Sequence, residues 1–434
     1  MIPLMKNAFL SESQTKRELS EFIALAPRLS MSEQCGNFER KFAAFQGSSH
    51  AVLYNSGASA NLAMLQSLKN LGRIKNGDKI GFSALTWATN VMPVIQLGMH
   101  PVPIDCDPLT LNVMSYNLRS RLEETDIDVM FITNALGFAG DLDVIRDICR
   151  KRNIILIEDN CEALGTELPA GKTGTFGLMS SFSFFVAHHM STIEGGMVCT
   201  DDNELAQMLK IVRANGWDRN LEASEQRQWR AKYNIGSEFE SKYTFYDLGY
   251  NLRPTEITGF LGCQQLQFLE DNIAARQANY IKLESVLRQN PELVSLCRPH
   301  ISVLSNFAFP ILCENEKIRE QYINRFLQAD VEIRPMIAGN IQKQPFYKKY
   351  VQQEYDLPGT DKIHNCGFYC GNYPELTDDD IETLRICLAS GNQDNEDSVA
   401  GEYSKEFLVE NQGGIFLAEE ERVRLAGRRK KLVS

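Results

Sequence analysis

From about residue 50 to residue 215, short and nearly continuous apolar runs alternate with longer amphipathic ones. The runs at residues 50–54 (HAVLY), 79–83 (KIGFS), 101–105 (PVPID), 128–133 (DVMFIT), 154–158 (IILIE), 181–185 (SFSFF) and 197–200 (MVCT) predict strands. Residues 58–71, 88–97, 142–152 and 205–214 carry the apolar spacing of helices. Strands alternating with helices predict an α/β fold with a mainly parallel sheet covered on both faces. Ligands of such sheets sit beyond the carboxyl ends of the strands, so the residues that follow each strand are the candidates for chemistry. After Arg253-Pro254 a long helical stretch, residues 256–288, leads into mixed strand and helix signals that predict a smaller α+β lobe. From residue 391 the chain turns polar (GNQDNEDSVAGEYSKE), so 391–434 is expected to be a flexible extension. The expected organisation is an N-terminal arm (1–30), a large domain (31–250), a small domain (251–390) and that extension.

Composition narrows the function classes. Of 434 residues, 43% are hydrophobic and 23% charged, the balance of a globular chain. Acidic residues outnumber basic ones, 56 to 45, for a net charge of −11. Bulk attraction to nucleic acid or to an anionic membrane needs the opposite sign, so an anionic ligand has to be held by a local site. No apolar run approaches the ~18 residues of a spanning helix. Residues 1–22 lack the apolar core of a signal peptide, so a cytoplasmic location is expected. The eleven cysteines are scattered, and the nearest pair, Cys366 and Cys370, has no second pair beside it. That spacing predicts free thiols, with neither a metal site nor an iron–sulfur centre.

Several strand ends carry candidates. The segment YNSGASAN, residues 54–61, joins a strand to a helix, and its small residues Gly57 and Ala58 let backbone N–H groups approach an anion. A plain helix cap on Ser56 is the simpler account of that segment taken alone. It matches neither Walker A nor GxGxxG. Asp159 closes the run IILIE; it is placed to pair with a protonated ring nitrogen or to cap a turn. Trp87 follows KIGFS, as a stacking platform or as ordinary core. The run SFSFFVAHHMSTIEGG puts His188 and His189 in one loop between strands, as proton-transfer groups or as surface residues. Sequence neighbours point apart, which argues against their ligating one metal.

The order and spacing of these segments resemble one family, the DegT/DnrJ/EryC1/StrS sugar-nucleotide aminotransferases. The resemblance runs from about residue 30 to 385 and includes ALTWAT (84–89), PVPIDCD (101–107), IEDNCEALG (157–165) and LGYNLRP (248–254). It implies the aspartate aminotransferase-like fold of type I pyridoxal-phosphate enzymes, with the large domain binding the cofactor. By position, Asp159 is then expected at the pyridine nitrogen and Trp87 on the ring. Gly57, Ala58 and Ser183 are expected at the phosphate, and Glu162 stands near the 3-oxygen, where the family usually has Gln. Asn251 resembles the residue that reaches the phosphate from a neighbouring subunit, which implies a homodimer with shared sites. Arg219 and Arg334 are candidates for the diphosphate of a nucleotide-sugar substrate, with surface ion pairs as the alternative.

The chain departs from that family at one position. Family aminotransferases carry, six residues before the Glu of EGG, a lysine that links to pyridoxal phosphate as a Schiff base. Here that position is His188, and the run to Gly196 contains no lysine. An imidazole cannot replace a primary amine in that link. The substitution resembles the pyridoxamine-phosphate-dependent 4-keto-6-deoxyhexose 3-dehydratases, in the subgroup without an iron–sulfur cluster. That branch implies loss of the sugar's C3 hydroxyl with His188 as the base, and glutamate as the donor that restores pyridoxamine phosphate. A shift of one residue in the loop would make His189 the base. The competing readings are a sugar aminotransferase with its lysine elsewhere and an inactive ligand-binding protein.

Overall fold

The seven apolar runs pair into one sheet. In the computed structural model, which describes residues 1–390, its strands are β1 (His50–Tyr54), β2 (Lys79–Ser83), β3 (His100–Ile104), β4 (Val129–Thr133) and β5 (Ile155–Asp159). After a short hairpin, β6 (Glu167–Leu168) with β7 (Gly171–Lys172), come β8 (Met179–Ser183) and β9 (Gly196–Thr200). The order across the sheet is β1-β9-β8-β5-β4-β2-β3. All neighbours from β8 to β3 are parallel, and β9 runs antiparallel to β1 and β8. The exception has a simple cause: β8 and β9 are joined by the loop 184–195, without the crossover helix that a parallel pair requires. That loop carries both histidines.

Three elements differ from expectation. The helix expected at 88–97 is a 3-10 turn, Ala88–Asn90, and a short helix, Met92–Gln96, with Pro93 in its first turn. The strand expected at 181–185 spans Met179–Ser183, so Ser183 is its last residue and the two phenylalanines lie beyond it. The chain needs those positions to turn outward: the His188 N–H bonds back to the Phe185 carbonyl at 2.9 Å. The helical stretch expected at 256–288 is two helices, Glu256–Leu266 and Leu269–Leu287. At the break the buried Gln265 side chain bonds to the N-terminal arm, accepting from the Leu10 N–H and donating to Thr15 Oγ1.

A second, antiparallel sheet follows: β10 (Ala308–Leu312), β11 (Ile333–Pro335) and β12 (Gly367–Gly371), ordered β10-β12-β11. Its apolar face joins the core of the first sheet, where Ile132, Leu136 and Phe138 pack in one cluster with Tyr280, Phe309 and Phe368. The extension expected at 391–434 lies outside the described residues. Among the described residues no helix is long and apolar enough to cross a membrane, and no group of His, Cys, Asp and Glu is arranged to hold a metal.

Candidate active site

The helix Gly57–Asn70 starts at the carboxyl end of β1, with Ser56 as its N-cap accepting from the Ser59 N–H at 3.1 Å. The first intrahelical bond is Ala60 to Ser56, so the N–H groups of Gly57 and Ala58 belong to the unsatisfied first turn. A Cβ on Gly57 would lie 2.7 Å from Ser183 Cβ and 3.2 Å from Cys161 Sγ. Only glycine lets the helix start approach the end of β8 this closely. Gly196 serves the same junction, since a Cβ there would meet the Ser56 carbonyl at 2.2 Å. Small residues thus bring free N–H groups and the Ser183 hydroxyl to one point, a cradle fitted to a phosphate.

Asp159, the last residue of β5 and 4% exposed, sits beneath that cradle. Its Oδ2 accepts from Asn61 Nδ2 and Asn90 Nδ2, both at 2.8 Å, and its Oδ1 from the Cys161 N–H at 2.9 Å. Ser181 in turn donates to Asn61 Oδ1 at 2.5 Å and fixes that amide's orientation. A carboxylate so held at the carboxyl end of the sheet's central strand is chemically suited to a protonated pyridine nitrogen. Trp87 is 58% exposed, which excludes ordinary core packing for it.

Glu162 lies on the side of the second sheet. Its Oε2 accepts from the Leu136 N–H at 2.8 Å, and burial raises its pKa to about 8, with the charge of Asp159 adding to the rise. Leu136 adopts a left-handed φ of 58°, which costs free energy but turns its carbonyl to Asn306 Nδ2 at 3.0 Å. Tyr369 on β12 stands near Glu162: burial first, then the Glu162 charge, pushes its phenol pKa up.

The histidine pair divides its work. His189 is 1% exposed and its Nε2 donates to the Ser305 carbonyl at 3.0 Å, a bond internal to the fold. His188 is half-buried, with Phe307 at 5.2 Å and Phe185 at 6.4 Å between ring centroids. Its Nδ1 is buried without a hydrogen-bond partner. Burial, then the positive charge of Arg276, lowers its pKa to about 4. Phe307 also touches Tyr369, so His188, Phe307, Tyr369 and Glu162 form one wall.

The remaining candidates lie farther out. Arg334 pairs directly across the strands with Tyr369 and is ion-paired to Glu332. Arg219 is exposed, its guanidinium 5.2 Å from the Trp217 ring centroid. Asn251 pairs with Ala214 and accepts from Arg253 Nε at 3.1 Å, while the next carbonyl, Leu252, accepts from the Asn55 N–H at the cradle's edge. Sequence reasoning missed Asn61, Asn90, Arg276, Phe307 and Tyr369. The first two had a signal: Asn61 lies one turn after Gly57 on the same helix, and Asn90 three residues after Trp87. The other three come from the second lobe or the helix leading to it, and no spacing announces them.

The DegT/DnrJ/EryC1/StrS aminotransferase family matches residues 12–388. The GDP-4-keto-6-deoxy-D-mannose 3-dehydratase of Escherichia coli O55:H7 is 33% identical over 362 residues, covering 82% of this chain and 92% of that protein. A crystal structure of a GDP-4-keto-6-deoxymannose-3-dehydratase mutant with bound GDP-perosamine superposes with a TM-score of 0.80 at 29% identity, covering 89% of this chain and 100% of that one. Another, with a trapped PLP-glutamate geminal diamine, gives 0.80 at 30% identity, with the same coverage. The α/β architecture is therefore the aspartate aminotransferase-like one. The family match begins with the first helix, Glu12–Leu25, and ends with the last described one, Asp378–Leu388: the chain belongs to the DegT/DnrJ/EryC1/StrS aminotransferase family.

Proposed function

We propose that this chain is a 3-dehydratase that removes the C3 hydroxyl from a nucleotide-linked 4-keto-6-deoxyhexose with pyridoxamine 5'-phosphate, and that glutamate restores the cofactor's amine form from pyridoxal 5'-phosphate. The observation that supports this reading is the half-buried imidazole of His188, kept neutral by burial, six residues before Glu194, where the family resemblance implies a lysine in the aminotransferases. A neutral imidazole is a proton acceptor, whereas a lysine would tether the cofactor. When bound, the cofactor supplies an amine for the sugar's C4 ketone and a ring that takes up electron density.

The chain's own residues do the rest. Gly57, Ala58 and Ser183 hold the phosphate, and Trp87 covers the ring face. Asp159 keeps the proton on the pyridine nitrogen, and Glu162 meets the 3-oxygen. His188 takes the proton released at the cofactor's C4′ carbon and gives it to the departing C3 hydroxyl, which leaves as water. Arg219 and Arg334 bind the diphosphate. Asn251 serves the phosphate of a second copy, so the working unit is a homodimer.

GDP-4-keto-6-deoxymannose is the substrate to try, because the 33%-identical relative bears that sugar nucleotide's name. Incubated with the chain, pyridoxamine phosphate and glutamate, it is expected to give a 3-deoxy-4-keto sugar and ammonia, followed by mass spectrometry. Absence of ammonia release across a panel of nucleotide 4-keto-6-deoxyhexoses would sink the proposal. A borohydride-trapped lysine adduct of pyridoxal phosphate would support an aminotransferase instead.

A further inference from the structure

Arg276 lies on the helix Leu269–Leu287 and is 4% exposed. A guanidinium buried that deeply normally meets a carboxylate, because desolvating a lone charge costs several kcal/mol. All four of its hydrogen-bond acceptors are neutral. Nε donates to Asn272 Oδ1 at 2.7 Å, and Nη1 to the carbonyls of Phe307 at 2.9 Å, Asn306 at 3.3 Å, and Asn372.

Those partners surround the catalytic loop. Asn272, one turn earlier on the helix, donates its Nδ2 to the His189 carbonyl and so holds the backbone next to His188. Phe307, whose carbonyl Arg276 grips, lays its ring 5.2 Å from the His188 ring. Ser305, two residues earlier, accepts from His189 Nε2 at 3.0 Å. One guanidinium thus fixes both the chain that carries the imidazole and the ring packed against it.

We propose that Arg276 is a positioning residue for His188, clamping its loop through Asn272 and Phe307 and keeping a positive charge beside the imidazole so that it rests in the neutral, proton-accepting form. The inference rests on the assignment of His188 as the base. The charged or titratable groups around His188 are Arg276, His189 on its own loop, Tyr369 and Glu162 across the Phe307 ring, and, on the side of the N-terminal arm, Tyr373 and Glu375 after β12. Of these, Glu375 draws the Arg276 pKa upward against the effect of burial.

The test uses the full chain with carbon-13 at histidine Cε1, the His188 signal being assigned by its loss in His188→Asn. In Arg276→Met the His188 titration midpoint is expected to rise above about 4 while staying below ~6.5, because burial, the larger cause, remains. In Arg276→Lys, which keeps the charge but not the fork, and in Asn272→Ala, the midpoint is expected to stay low. Each of the three is expected to lower kcat for ammonia release by about 10-fold to 100-fold with little change in KM. An unmoved midpoint in a folded Arg276→Met protein overturns the electrostatic part, as does an equal shift in Arg276→Lys. If Arg276→Met fails to fold by circular dichroism, the other two variants decide: unchanged kcat in both overturns the clamp. The titration needs no substrate, so a moved midpoint without turnover would count against the assigned reaction and not against Arg276.

Discussion

At the Asp159 end of the site, three N–H donors converge on a carboxylate, and all of them come from the large sheet and its own connections. At the His188 end, a ring nitrogen is buried without a partner, aromatic rings stand on two sides, and the nearest charge has the sign that opposes protonation. The first end gathers donors to keep an anion in place. The second leaves the buried ring nitrogen Nδ1 without an acceptor for a second proton. Proton abstraction needs both, because an electron-poor ring and an unprotonated base must meet at one pH. The difference is also one of construction: Asp159 is served by residues within one turn or one strand of a motif, whereas His188 depends on a helix and a strand-flanking loop about 85 to 120 positions away.

The sharpest break is to remove the proposed base. His188→Asn keeps the approximate size of the ring's inner edge and is expected to lower ammonia release by on the order of 1,000-fold, with circular dichroism unchanged. A loss as large from His189→Asn in a folded protein would reverse the division drawn between the two rings.

Next in size is the donor set around Asp159. Asn61→Ala and Asn90→Ala each remove one hydrogen bond to a charged group, expected to cost ~1.5–3 kcal/mol in urea unfolding. Cofactor affinity should fall with them, read from absorbance titration with pyridoxal phosphate. If neither variant changes stability or affinity, the convergence on Asp159 is incidental.

A third effect, read on the protein without cofactor, is the pH dependence of stability, in which the two ends partly cancel. The native His188 midpoint is about 4 against an ordinary 6.5, so between those values the unfolded chain binds a proton that the native chain refuses. Stability is therefore lost as pH falls through that window. Glu162 acts with the opposite sign: its native value of about 8 against an ordinary 4.5 makes the native chain keep a proton that the unfolded chain releases, and stability is lost as pH rises from 4.5 to 8. Between pH 4.5 and 6.5 the two slopes oppose, so His188→Asn should leave melting temperature falling as pH rises through that window, and Glu162→Gln should leave it rising there and flat from 6.5 to 8. Unaltered slopes would mean that neither burial effect survives in solution.

The pattern of apolar runs located all seven strands of the main sheet, because a strand buried on both faces has to be apolar nearly throughout. Its errors were local and had causes. The strand expected at 181–185 was placed two residues late because SFSFF looks like a strand while the serines of Met179–Ser183 are buried as well. The cradle was legible for a similar reason: a glycine, a cap and a hydroxyl near one strand end are properties of short segments. What serves His188 was not, since Asn272, Arg276 and Phe307 carry no local signature.

The amino-acid sequence by itself determined the sheet, the close approach of the Gly57 helix start to Ser183, the strand-end Asp159 and a histidine-bearing, lysine-free run before Glu194. Each follows from residue type at a fixed distance from a strand end, where backbone geometry leaves little freedom. The tertiary structure decided which histidine is free, since only the packed chain engages His189 with Ser305. It also decided the protonation of His188 and Glu162, because desolvation and the nearness of Arg276 or Asp159 exist only once distant segments meet.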